Sequence, residues 1–61
     1  IGLAEVMDRL DSGDRQLIRL RFFAGRTQSE TARVLGTTQV QISRRERRIL
    51  KWMREQLLEA Q

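Results

Sequence analysis

The chain has 61 residues and a formal net charge of +4, which comes from 12 Lys and Arg against 8 Asp and Glu. It contains no Cys and no His, which excludes disulfide bonds, thiolate chemistry, imidazole catalysis and zinc sites of the usual ligand types. We therefore expect one small domain that is not an enzyme and holds no metal. No apolar run approaches the roughly 20 residues of a membrane span, so we expect a soluble protein. Because so small a core is marginally stable and Ile1 is not an initiator Met, we also expect a piece excised from a longer chain.

Residues 1–25 predict a pair of short helices. In the first segment, over about residues 3–10, apolar residues recur at the spacing of one helical face: Leu3, Val6, Met7 and Leu10. Asp11 or Ser12 can cap a second helix. We expect this helix to run to about Ala24 and to end at Gly25, which can adopt a left-handed conformation. It should bury Leu17, Ile18 and Leu20, and it should bury Phe22 and Phe23 in part.

Residues 27–58 predict a helix-turn-helix. Thr27 and Glu30 have the spacing of a capping box, so we expect a third helix that stops at Gly36. Thr38 and Gln41 form a second box, which opens a long fourth helix to about residue 58. The apolar face of that helix carries Ile42, Ile49, Met53 and Leu57, with Trp52 beside them. The expected fold class is all-α, a four-helix domain with a C-terminal helix-turn-helix and a long recognition helix.

Three residues have the type and the spacing that are typical of a helix-turn-helix. Ala32 is small where the two helices meet, Gly36 permits the positive φ of the sharp turn, and Ile42 fills the space between the helices. On spacing alone, an ordinary pair of antiparallel helices with a Gly cap remains an alternative.

The cations of the fourth helix favour a nucleic-acid partner. Four of them recur at i, i+3, i+4 and i+7 and so share one face: Arg44, Arg47, Arg48 and Lys51. Cations aligned in this way can neutralise phosphates and release counterions. A solvated helix face, partly neutralised by Glu46 and Glu55, is the alternative interpretation.

The first turn of the fourth helix carries short side chains that can approach base edges in a major groove. Gln39 is suited to adenine, Val40 to a thymine methyl group and Arg44 to a bidentate contact with guanine. Each of these could instead be an ordinary exposed residue. Other polar residues stand at helix N-termini, where free amides suit phosphate as well as a cap: Thr27, Gln28 and Thr38.

Two stretches resemble a known family. Residues 17–32, LIRLRFFAGRTQSETA, and residues 34–44, VLGTTQVQISR, are similar to region 4 of sigma-70-type factors, and are nearest to the sporulation and general-stress group. The resemblance covers nearly the whole chain, as a single domain over residues 1–61. It implies a cytoplasmic DNA-binding protein in transcription initiation, which recognises the −35 element of double-stranded promoter DNA. It implies no cofactor and no small-molecule substrate.

The same resemblance assigns residues to two surfaces. Positions that contact bases in the family match Gln39, Val40 and Arg44, with Ser43 and Arg47 as near neighbours. Positions on or beside phosphate contacts match Arg21, Thr27, Gln28, Arg48 and Lys51. A second surface, on the N-terminal helices, would pack on the β flap of the RNA polymerase core, where anti-sigma factors commonly compete. The candidates for it are Leu3, Val6, Met7, Leu17 and Leu20, each of which could equally belong to the core.

The chain departs from the family pattern at four positions. Thr31, Thr37 and Arg45 stand where the family usually has Ile, Val or Leu, so we expect weaker internal packing. Gly13 stands where a charged residue is common. Two other functions remain open: the DNA-binding effector domain of a response-regulator-type transcription factor, and a helical bundle whose basic face binds an acidic protein.

Overall fold

Residues 2–59 are described by a computed structural model, in which four α-helices and one π-helical segment surround a single apolar core. The elements are α1 (Leu3–Arg9), α2 (Ser12–Ile18), the π-helical segment (Arg19–Phe23), α3 (Gln28–Leu35) and α4 (Gln39–Glu59). The all-α prediction and the helix-turn-helix are confirmed. The ends of the predicted domain, residue 1 and residues 60 and 61, lie outside the described residues. None of these helices is both long enough and apolar enough to cross a membrane.

Local hydrogen bonds set the helix ends largely as the sequence predicts. The Asp11 side chain caps α2 by accepting from the amide of Asp14 at 2.8 Å. Thr27 and Glu30 form the complete capping box, with both hydrogen bonds at 3.0 Å. Gly36 ends α3 with φ of 71°. The second box is half formed among the described residues: Thr38 Oγ1 accepts from the Gln41 amide at 3.2 Å, without the reciprocal bond.

The core is built on one face of α4, which packs against α1, α2 and α3. The fully or nearly fully buried apolar residues are Val6, Met7, Leu10, Leu17, Ile18, Ala32, Ile42, Ile49 and Met53. Leu35 and Trp52 pack against this cluster from its edge. Because α1, α2 and α3 all pack on the same face of α4, the residues on its opposite face are left exposed to solvent.

The second predicted helix does not continue as an α-helix to Ala24. After Ile18 the chain widens into the π-helical segment, where the Ala24 amide donates to the Arg19 carbonyl, five residues back, at 2.8 Å. The wider turn changes the direction of the side chains that follow, and Phe22 and Phe23 are 51% and 65% exposed. Their burial is therefore only partial, and both side chains keep at least half of their surface exposed. Gly25 does end this stretch in the left-handed conformation, with φ of 68°.

Polar contacts accommodate two of the residues that depart from the family pattern. Thr31 is fully buried, and its Oγ1 donates to the Thr27 carbonyl at 2.9 Å. Arg45 Nη2 lies 3.0 Å from Asp14 Oδ1 and so forms an ion pair with α2. A Cβ at Gly13 would lie only 3.3 Å from the same Arg45 nitrogen, so the glycine leaves room for the guanidinium group. Within residues 2–59 every buried side-chain nitrogen and oxygen atom has a hydrogen-bond partner.

Candidate nucleic-acid interface

The solvent side of α4 presents most of the residues that the sequence assigns to DNA. The exposed members are Gln39, Val40, Arg44, Arg47, Arg48 and Lys51, and Ser43 is half-buried. This face lies opposite the buried stripe of Ile42, Ile49 and Met53. Within the described part of the chain, none of the four exposed cations on this face forms an ion pair. Their charge is therefore available to an anionic partner.

The N-termini of α3 and α4 meet at this face. Gln39 Nε2, on the first residue of α4, donates to Gln28 Oε1, on the first residue of α3, at 2.7 Å. Thr27 and Thr38, which precede the two helices, are both exposed. Three predicted phosphate residues and one predicted base-contacting residue are thus brought together on a surface with two helix N-termini, where anions are favoured.

The carboxylate of Glu30 lies beside this surface and is committed to the cap of α3. The hydrogen bond from the Thr27 backbone amide lowers the pKa of Glu30, and the Thr27 hydroxyl and the charge of Arg26 act in the same direction. The Arg26 guanidinium lies 3.6 Å from the carboxylate. The Glu30 carboxylate therefore stays ionised, and its negative charge faces the N-terminus of α3.

Arg21 does not lie free at the surface. Its Nε donates to Glu46 Oε1 at 2.5 Å, and its Nη1 donates to the Arg26 carbonyl at 2.7 Å. The guanidinium also lies 5.5 Å from the centre of the Phe22 ring, and the side chain is 24% exposed. These bonds use two of the five N–H groups of the guanidinium, so a phosphate contact by Arg21 stays a prediction.

Glu46 is the residue that the sequence interpretation missed. Its side chain is only 12% exposed, and besides Arg21 it accepts a hydrogen bond from Gln28 Nε2 at 2.9 Å. The sequence suggested only that it offsets neighbouring cations. One signal was present: Glu46 interrupts the apolar stripe between Ile42 and Ile49, and a carboxylate on a buried face needs partners.

Three of the five residues assigned to the polymerase surface lie in the core. Val6 and Leu17 are completely buried and Met7 is nearly so, because α1 and α2 turn these side chains towards α4. They cannot touch a partner in this conformation. Leu3 is exposed and Leu20 is half-buried, so these two retain accessible surface. The assigned surface is corrected to that extent.

Comparison with known proteins gives consistent matches. The family model for sigma-70, region 4, matches residues 6–55. The chain is 44% identical over 54 residues to the RNA polymerase sigma-F factor of Priestia megaterium, an alignment that covers 88% of this chain and 21% of that protein. It is 40% identical over 55 residues to the sigma-G factor of Clostridium acetobutylicum, covering 90% and 21%. It is 35% identical over 57 residues to the sigma-B factor of Bacillus subtilis, covering 93% and 22%.

The chain thus spans about a fifth of the length of the curated relatives it matches. No solved structure matches it.

Proposed function

Because this chain belongs to the sigma-70 region 4 family, we propose that it recognises the −35 element of promoter DNA and so positions RNA polymerase for initiation. The role is one of binding rather than catalysis. The observation that carries the proposal is the exposed face of α4, where residues with base-reading and phosphate-binding chemistry lie opposite the buried stripe.

In this interface the first two turns of α4 lie in the major groove. The base-contacting residues are Gln39, Val40, Ser43, Arg44 and Arg47, of which Arg44 is suited to bidentate contact with guanine. The phosphate contacts come from Thr27, Gln28, Thr38, Arg48 and Lys51. Arg21 is held beside this interface by Glu46, and its predicted phosphate contact would use the remaining N–H groups of its guanidinium.

Two substitutions on α4 test this division of roles. Arg44→Ala should lower discrimination at one base pair by about 1–3 kcal/mol, because a bidentate base contact is lost. Lys51→Ala should weaken binding to all sequences equally and reduce the slope of log affinity against log salt by about 1. Both are measured by competition between cognate and scrambled duplexes over a series of salt concentrations.

Arg33→Ala is the matched control, since it removes the same charge from an exposed position on α3 outside this face. It should leave the base preference unchanged. Equal losses on cognate and scrambled DNA for Arg44→Ala would contradict its assignment as a base-contacting residue.

The polymerase partner is the second part of the proposal. A surface on the N-terminal helices contacts the β flap of the polymerase core, and an anti-sigma factor competes for it. Two adjacent apolar side chains support this, since Phe22 and Phe23 are 51% and 65% exposed. Neighbouring exposed apolar side chains are typical of protein contacts. Leu3, on α1, is also half exposed. The test is binding of the chain to an isolated β flap fragment, and absence of binding would contradict it.

The effector domain of a response regulator is not favoured, since the relatives described above are sigma factors. Dimerisation of the chain on inverted-repeat DNA would be the observation in its favour. A bundle that binds an acidic protein is distinguished by competition, because only a sequence-reading protein prefers cognate over scrambled DNA.

A further inference from the structure

A continuous line of hydrogen bonds crosses the helix-turn-helix and ends at the proposed DNA surface. Glu46, two turns into α4, accepts from Gln28 Nε2 at 2.9 Å. Gln28 Oε1 in turn accepts from Gln39 Nε2 at 2.7 Å. The other carboxylate oxygen of Glu46 accepts from Arg21 Nε. We call Glu46, Gln28 and Gln39 the amide relay.

In each hydrogen bond of the amide relay, the donor and the acceptor cannot be exchanged. An amide side chain can normally rotate by a half turn and exchange its donor for its acceptor. The ionised carboxylate of Glu46 has no proton to donate, so Gln28 must turn its Nε2 towards it. Gln28 Oε1 then faces Gln39, and Gln39 must turn its own Nε2 towards Gln28. A charged group inside the domain therefore sets the orientation of an exposed amide on its surface.

This orientation limits what Gln39 can offer to DNA. One N–H of its Nε2 is used by Gln28, which leaves Oε1 as an acceptor and the second N–H as a donor. In the major groove adenine presents an N6 donor beside an N7 acceptor, which complements this pair. Guanine presents acceptors at both O6 and N7, so its O6 would face the Oε1 of Gln39.

We propose that Gln39 is a specificity-determining residue that selects adenine, and that Glu46 and Gln28 are positioning residues that hold its amide for this contact. The inference rests on the proposed function, since it needs α4 in the major groove. Gln28 can serve the relay and the backbone together, because the second N–H of its Nε2 points away from the Glu46 bond and is free for a phosphate oxygen. The relay is assembled before DNA arrives, so Gln39 has fewer rotamers to lose on binding.

The test is a selection of bound duplexes from a pool randomised across the site, with each variant compared to the unchanged chain. Gln39→Ala identifies the position that Gln39 contacts, as the position where base preference is lost. The unchanged chain should select adenine there, over guanine by about tenfold. Glu46→Gln should reduce that preference severalfold at the same position only, because an amide at 46 can donate and no longer fixes the direction of the relay.

Glu55→Gln is the matched control, since it removes the same charge from an exposed position on the same helix. It should leave the preference at every position unchanged. Gln28→Ala provides a second variant that breaks the relay while keeping the Arg21–Glu46 ion pair, so a loss at the same position does not reflect unfolding. Circular dichroism of each variant verifies that the helices are intact.

The outcomes separate the two proposals. If the unchanged chain binds all duplexes equally, the proposed function fails and the inference fails with it. If the chain selects a sequence but Gln39→Ala keeps the full preference, or the selected base is not adenine, only the inference is overturned. A uniform loss across all positions for both Glu46→Gln and Gln28→Ala would also overturn it, since a purely structural role predicts that result.

Discussion

The helix-turn-helix, residues 27–59, and the N-terminal region, residues 2–26, obtain their structure in different ways. In the helix-turn-helix, residues close in sequence define the ends: the Thr27 capping box, the left-handed Gly36 and the Thr38 cap. In the N-terminal region α1 and α2 have seven residues each and continue into a π-helical segment. Helices this short are marginal alone, since isolated helices need about 12–15 residues. The N-terminal region therefore depends on α4 for its stability.

Two adjacent residues of α4 form ion pairs with the N-terminal region. Arg45 pairs with Asp14 on α2, and Glu46 pairs with Arg21 on the π-helical segment. Both pairs add to the apolar contacts of the shared core, in which Ile42 and Ile49 take part. Because these contacts join the two regions, we expect them to unfold as one unit.

The largest expected effect comes from the residue at the centre of the shared core. Ile42→Ala should lower the free energy of unfolding by about 2–5 kcal/mol, because Ile42 is completely buried and leaves a cavity. Both regions should then unfold in one transition. Urea denaturation measures this, with circular dichroism for total helix and Trp52 fluorescence for the core.

Val40→Ala is the control, because Val40 is 54% exposed on the same helix, and it should cost less than about 0.5 kcal/mol. If Ile42→Ala leaves too little folded protein, Ile42→Val gives a milder loss of about 0.5–1.5 kcal/mol. Two separate transitions would contradict this expectation, since the N-terminal region would then unfold independently of α4.

A smaller effect is expected at the α3 cap. Thr27→Ala should destabilise the domain by about 1 kcal/mol, because the amide of Glu30 loses its acceptor at the helix start. Hydrogen exchange should increase most in the first turn of α3. Ser29→Ala changes a neighbouring exposed hydroxyl outside the cap and should leave both stability and exchange nearly unchanged. If Thr27→Ala and Ser29→Ala change stability and hydrogen exchange equally, the Thr27 cap does not stabilise α3 in the way expected here.

The smallest effect is expected from the ion pair between the regions. A double-mutant cycle with Asp14→Asn and Arg45→Met should give a coupling of about 0.5 kcal/mol that decreases with salt, because the two side chains are 19% and 29% exposed. The more exposed Arg26–Glu30 pair, at 3.6 Å, should couple less strongly. Zero coupling between Asp14 and Arg45 would leave the apolar core as the sole tie between the regions.

The residues of the candidate interface were predictable where the periodicity of a single helix decides which side chains are exposed. Gln39, Val40, Arg44, Arg47, Arg48 and Lys51 are exposed as the periodicity of α4 requires. Arg21 and Glu46 were not predictable, because they meet across 25 residues of chain. Their contact holds one predicted phosphate residue in place and anchors the amide relay. The only local signal of it is the position of Glu46 within the apolar stripe of α4.

Features that depend on residues close together in the chain were predictable before the fold was known. Capping residues, the two left-handed glycines and the apolar stripe of α4 act within about one or two helical turns, so pattern and propensity identify them. Three other features became visible only in the folded chain: the π-helical segment, the exposure of Phe22 and Phe23, and the burial of residues assigned to a partner surface. Each of these depends on which distant residues meet, and that is settled by how the short helices pack on α4.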